Sequence, residues 1–149
     1  MKFSKRSLFA AIAAAVLALA VPQLRHPSAE PPAKVTATAA YFPVERAQRK
    51  RLSRVWVTGE GVVVKVLPDD NDGHRHQRFI LRLPNGKTLL VAHNIDLAPR
   101  IPHLRRGERV RFVGEYIHNP KGGLIHWTHR DPSGRTPGGW LEVRGKRYR

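Results

Sequence analysis

Residues 56–67, WVTGEGVVVKVL, form a Val-rich run interrupted by Gly59 and Gly61. Branched aliphatic side chains suit a pleated, half-buried surface, so the run predicts one long strand. Paired glycines inside a strand mark a bulge or a sharp coil, and a strand that bends there wraps around a small barrel. The turn cluster Pro68-Asp-Asp-Asn-Asp-Gly73 ends it.

Working outward, residues 76–83 (HQRFILRL) predict a second strand. Its period of two puts Phe79, Leu81 and Leu83 on one face, with His76, Arg78, Ile80 and Arg82 on the other. Asn85-Gly86 then tolerates the positive φ of a tight hairpin. Thr88 to His93 follows as a third strand, and Asn94 to Arg106, with two prolines, reads as a loop with a short helical turn. Arg109 to Tyr116 predicts a fourth strand and Leu124 to Thr128 a fifth, joined through Asn119-Pro-Lys-Gly-Gly123. Five strands over about eighty residues, the first long and bent, predict an all-β fold: a small five-stranded OB-like, partly open Greek-key barrel. A two-sheet sandwich is the alternative, though the strand count is low for one.

The ends of the chain differ in texture. Lys2, Lys5 and Arg6 precede an uninterrupted apolar run from Leu8 to Val21 that ends in Ala18-Leu-Ala20. That pattern reads as a signal peptide over residues 1–20, with an uncleaved anchor as the alternative. Fourteen apolar residues span roughly 21 Å as a helix, short of the ~30 Å hydrocarbon core. The protein is therefore expected to be exported, periplasmic or secreted, or tethered to the inner membrane if the signal stays. Residues 21–54 read as a Pro/Ala-rich, then basic, linker, residues 55–132 as the barrel, and residues 133–149 as a basic C-terminal extension.

Charge follows the same division. The net charge of +16 is +8 in residues 1–54, +4 in 55–132 and +4 in 133–149. Basic arms of this kind hold polyanions, either a nucleic acid, an envelope glycan or an anionic membrane surface. There is no cysteine, which excludes disulfide scaffolds, thiol enzymes and cysteine zinc sites. Nothing in the sequence fixes an oligomeric state.

Four strings stand out within the barrel region: Leu67-Pro-Asp-Asp-Asn-Asp-Gly73 with His76-Gln77; His93-Asn-Ile-Asp-Leu-Ala-Pro-Arg100; Gly114-Glu-Tyr116; and Asn119 through Asp131-Pro132. Together they closely resemble the bacterial family catalogued as domain of unknown function 3465, over about residues 55–140. The resemblance implies an exported or membrane-tethered bacterial protein without an established activity. It supplies no catalytic residues, so the candidate sites rest on chemistry.

Seven of the eight histidines lie between His74 and His129, and five of them fall in three clumps: His74-Arg-His76, His93-Asn-Ile-Asp96 and His126-Trp-Thr-His129-Arg-Asp131. Three readings compete. In the first, the protein binds a ligand without catalysis, which asks only for contact residues on an OB-like face: His76, Arg78, Arg82, His93, Arg100, His126 and His129. In the second it is a metal-assisted hydrolase, with His93 or His126 as general base and Asp96 or Asp131 as orienter, while Arg78, Arg82 or Arg100 holds a phosphate. In the third it is a structural envelope protein held by its arms.

No cofactor is expected under the first reading. Zinc or another divalent metal enters under the second, with His74, His76, His93, His126, His129 and Asp131 as the ligand pool. Strand parity sets His126 and His129 on opposite faces, which argues against that convergence. The Asp69–Gly73 cluster fails as an EF-hand, because the twelfth loop position falls on Phe79. No Gly-x-Ser-x-Gly nucleophile motif is present. Trp56, Tyr116 and Trp127 are expected in the core, and Trp140 as a cover over the barrel.

Overall fold

The computed structural model describes residues 41–149. The signal-peptide expectation, and the linker expectation up to residue 40, lie outside the described residues. The elements in chain order are β1 (Phe42–Pro43), α1 (Val44–Arg49), β2 (Val55–Val66), β3 (His76–Arg82), β4 (Thr88–Asn94), β5 (Arg109–Ile117), β6 (Leu124–His126), β7 (Trp140–Val143) and β8 (Lys146–Tyr148).

Strands β2 to β6 are the five predicted ones, and they close into a barrel. Their order is β2-β3-β4-β6-β5, with β2 returning to β5. The β4–β6 contact is parallel and the other four are antiparallel. This is the OB-type Greek-key arrangement, here closed rather than partly open. One strand makes the closure. The first part of β2, Val55 to Val62, pairs with β5, and its last part, Val62 to Val66, pairs with β3.

The glycines of β2 work differently from the expectation. Register with β5 runs unbroken through Gly59 and Gly61, and the irregularity falls between Val63 and Lys65. A Cβ on Gly59 would press on Val44 and Phe112, and one on Gly61 on the Arg82 carbonyl. The glycines therefore let other groups approach the strand closely.

Alternation fills the interior. Phe79 and Leu81 from β3, Leu89 and Val91 from β4, Val110, Phe112 and Tyr116 from β5, and Ile125 from β6 are all completely buried. Each such side chain contributes roughly 1.5–3 kcal/mol of burial, which is what holds a barrel without disulfides. Both ends are plugged. At one, Val44 and Ala47 of α1 join the core, and the Gln48 amide donates to the Thr88 and Gly122 carbonyls. At the other, Ile101 and Leu104 come from the β4–β5 connection, which holds turns and no helix. There buried Gln77 donates to the Ile101 carbonyl and accepts from its N–H, each at 2.9 Å. That pair explains a polar residue at an inward position.

The folded unit extends past both boundaries set from the sequence. Residues 42–49, expected in the linker, form β1 and α1 against the barrel. The expected basic extension contains the β7–β8 hairpin, which pairs with β5 along Val110 to Val113 and buries Leu141, Val143 and Tyr148. The physical reason is strand length. Three-residue β6 covers only Glu115 to Ile117 of β5, and the remaining edge is satisfied by β7. Trp56 is half-buried rather than core, its ring tilted against Tyr41 at 6.3 Å.

Candidate ligand-binding cleft

On the outer surface, the period of two aligns side chains across strands. Arg78 of β3 stands opposite Ala92 of β4, and Glu115 of β5 opposite His126 of β6. His76 stands opposite Asn94. Because Ala92 is small, the surface dips there. The resulting cleft of about 240 Å³ is lined by His74, His76, Ala92, Asn94, Leu97, His126, Trp127 and His129.

Two predicted clumps thus meet on one surface, and the way they meet differs from strand parity. β6 ends at His126, and Trp127 adopts a left-handed backbone with φ 50°. Alternation breaks at that residue, so His126 and His129 both line the cleft. The same turn leaves the Trp127 side chain 36% exposed, where a core position was expected. Its ring lies 6.4 Å from the His126 ring, edge-on, and 5.3 Å from the His129 ring, tilted by 33°.

Hydrogen bonds fix the imidazole tautomers, since carbonyls and carboxylates only accept. His126 Nε2–H donates to Glu115 at 2.8 Å, and His129 Nδ1–H donates to the Arg130 carbonyl at 2.6 Å. Burial pulls the His126 imidazole below its ordinary value, and the Glu115 carboxylate opposes this in part. In the neutral form each of these rings keeps one nitrogen as an acceptor.

A family model described as Protein of unknown function (DUF3465) matches residues 32–149. The chain belongs to that family. No curated protein matches it. The DUF3465 match includes α1 and the β7–β8 hairpin as well as the barrel.

Other predicted site residues of this DUF3465 chain lie elsewhere or are engaged. His93 is completely buried on the inner face of β4. Its Nε2–H donates to the Pro99 carbonyl at 3.2 Å, and its Nδ1 accepts from the Thr128 hydroxyl at 2.9 Å. Burial lowers its pKa to about 4. With both nitrogens engaged inside the barrel, His93 is a core group and no ligand contact. Asp96 accepts from the Arg75 backbone and side chain at 2.8 and 2.7 Å. Asp131 accepts from Ser133 and Thr136 in its own turn, which holds its carboxyl well below the usual range. Asp96 also lies 3.8 Å from His74 Nδ1, but neither carboxylate bonds His93 or His126 as the hydrolytic reading required.

The arginines and the metal set also sort out. Arg100 is paired with Asp69 at 2.9 Å, and Arg78 lies 3.5 Å from Asp70 and donates to the Pro68 carbonyl. Arg82 is exposed at the end of β3. No three His, Asp or Glu side chains among the described residues are placed to hold a metal ion. His74, His76, His126 and His129 therefore share a cleft without forming a ligand set, and His93 and Asp131 do not line it. Glu115, the partner of His126, is the neighbour of the cleft that sequence reasoning missed. Its position opposite His126 depends on long-range pairing, although its outward parity with Arg109 and Arg111 was readable.

Proposed function

We propose that this chain is an exported, non-catalytic binding protein that seats a sugar ring of an anionic envelope glycan in the histidine cleft. Trp127 carries the reading: an exposed indole held at positive φ between two imidazoles. A bulky residue in that conformation costs on the order of 1–3 kcal/mol, and such strain concentrates where a side chain must be aimed. Indole faces pack against sugar rings and bases alike.

The lining favours a sugar. It contains no Lys or Arg, so it offers hydrogen bonding to hydroxyls rather than neutralisation of phosphate. Exposed Arg82, on the same outward face of β3 as His76, supplies charge for acidic groups beyond the cleft. By analogy of fold, OB-type barrels receive oligosaccharides and oligonucleotides on the face of their second and third strands, which are β3 and β4 here. Export rests on the basic and apolar pattern of residues 1–21.

The test is a titration of the full chain with a tetrasaccharide of alternating N-acetylglucosamine and N-acetylmuramic acid, followed by indole fluorescence. A thymidine decanucleotide serves as the competing arm. Trp127→Ala is expected to weaken glycan binding at least fivefold, corresponding to a stacking contribution of ~1 kcal/mol or more. If the oligonucleotide alone binds in a Trp127-dependent way, the glycan assignment is wrong. Equal binding by wild type and variant would remove the cleft from consideration.

A further inference from the structure

β6 and β7 pair with the same edge of β5, at Glu115–Ile117 and Val110–Val113, and residues 127–139 cross from one stretch of that edge to the other. This crossing segment walls a second cleft. There, Gly139 N–H donates to the His129 carbonyl at 2.7 Å. The second cleft, of about 440 Å³, is lined by Tyr41, Arg111, Arg130, Trp140, Arg147 and Arg149, together with backbone of the crossing segment. Its size falls within the ~300–1,000 Å³ of small-molecule sites.

Charge distinguishes it from the histidine cleft. Register places Arg111, Glu142 and Arg147 in one row across β5, β7 and β8. Glu142 accepts from Arg111 at 3.0 Å and from Arg147 at 2.9 Å. The Arg147 guanidinium also lies over the Trp140 ring, 4.2 Å from its centroid. Glu142 thus pairs with two of the four arginines that line the cleft. Arg130 and Arg149 form no ion pair with a carboxylate side chain among the described residues. Guanidinium forks match phosphate oxygens in geometry, and the aromatic rings beside them offer a surface for a ring.

We infer that the arginine cleft is a separate binding site for an organic phosphate monoester, with the phosphate on Arg130 and Arg149 and the attached ring packed beside Trp140 and Tyr41. The site stands apart from the glycan reading, since it shares no side chain with the histidine cleft.

The experiment is isothermal titration of the full chain with adenosine 5′-monophosphate, glucose 1-phosphate and adenosine. The variants are Arg130→Gln/Arg149→Gln and, as a control of equal charge change, Arg105→Gln/Arg106→Gln at an exposed turn outside the cleft. Saturable binding of at least one phosphate ester is expected, weakened tenfold or more in the first variant and less than twofold in the control. Adenosine, lacking the phosphate, is expected to bind at least tenfold more weakly than its monophosphate. The stronger ester identifies the ring, base or sugar. Trp127→Ala should leave these affinities unchanged, which separates failure here from failure of the glycan reading. The inference is overturned if neither ester saturates wild type, or if both double variants weaken binding equally.

Discussion

Between pH 6.5 and 4 the fold is expected to lose about 3 kcal/mol of stability through His93, and His93→Gln is expected to remove that loss. An unfolded histidine takes up a proton below about 6.5, whereas folded His93 resists protonation until about 4. In that window the unfolded chain holds one more proton, so stability rises with pH. The penalty is absent above pH 6.5, grows as pH falls, and levels off below 4, where both states are protonated. Burial is the main cause, and neighbouring His129 and His76 add to it. The hydrogen bonds explain why the barrel holds the neutral ring: Nδ1 must remain unprotonated to accept from Thr128.

Glutamine can accept from Thr128 through its oxygen and donate to Pro99 through its nitrogen, yet it does not titrate. Urea unfolding followed by tryptophan fluorescence at several pH values between 7 and 4 measures the effect. Wild type should weaken steeply and the variant should show a much flatter acid limb. His126 contributes a residual slope of the same sign, because burial lowers its pKa too. Asp96, Asp131 and Glu142 are held below their ordinary values by hydrogen bonds, so their losses belong to more acidic solutions. An acid limb equally steep in both proteins would show that His93 does not control it.

The barrel was readable because its signals are local. Period-two patterning and the Asn-Gly turn place β3 and β4 within one residue of the observed ends. The cleft was readable only in part. His74, His76, His126 and His129 do gather, but parity separates His126 from His129, and no local rule foresees a left-handed tryptophan between them. Glu115 enters through pairing with a residue eleven positions away. The β7–β8 hairpin was hidden by its length, since Leu141 and Val143 alone carry the alternation in a four-residue strand flanked by charge. What the sequence could not convey was which edge those residues complete. That depends on β6 being too short to cover β5.

Gly139→Ala is expected to destabilise the fold by about 3 kcal/mol and to weaken binding at both clefts. A Cβ at this position would sit inside van der Waals contact of the Trp127 and Val113 carbonyl oxygens and within 2.9 Å of Thr128 Cα. All three are backbone atoms, so no side-chain rotation relieves the clash. The crossing segment must lift from β5, or β7 must part from it. Lifting moves Trp127 and His129 at one cleft and the Arg130 wall at the other.

Gly145→Ala provides the comparison. Gly145 has φ 73° and nothing within 4 Å of a built Cβ, so its cost is backbone strain alone, ~1 kcal/mol. Chemical denaturation of the two variants, with titrations of the tetrasaccharide and the phosphate esters, reads out both effects. Gly139→Ala should lose the larger amount of stability and bind both probes less tightly, while Gly145→Ala should bind as wild type does. If the two alanine variants are equally stable and bind alike, close packing of the crossing segment on β5 does not set the clefts. A loss at one cleft only would show that the segment's two sides move independently. The shared hinge would then lie elsewhere than at Gly139, whose N–H bond to His129 is the contact that joins them.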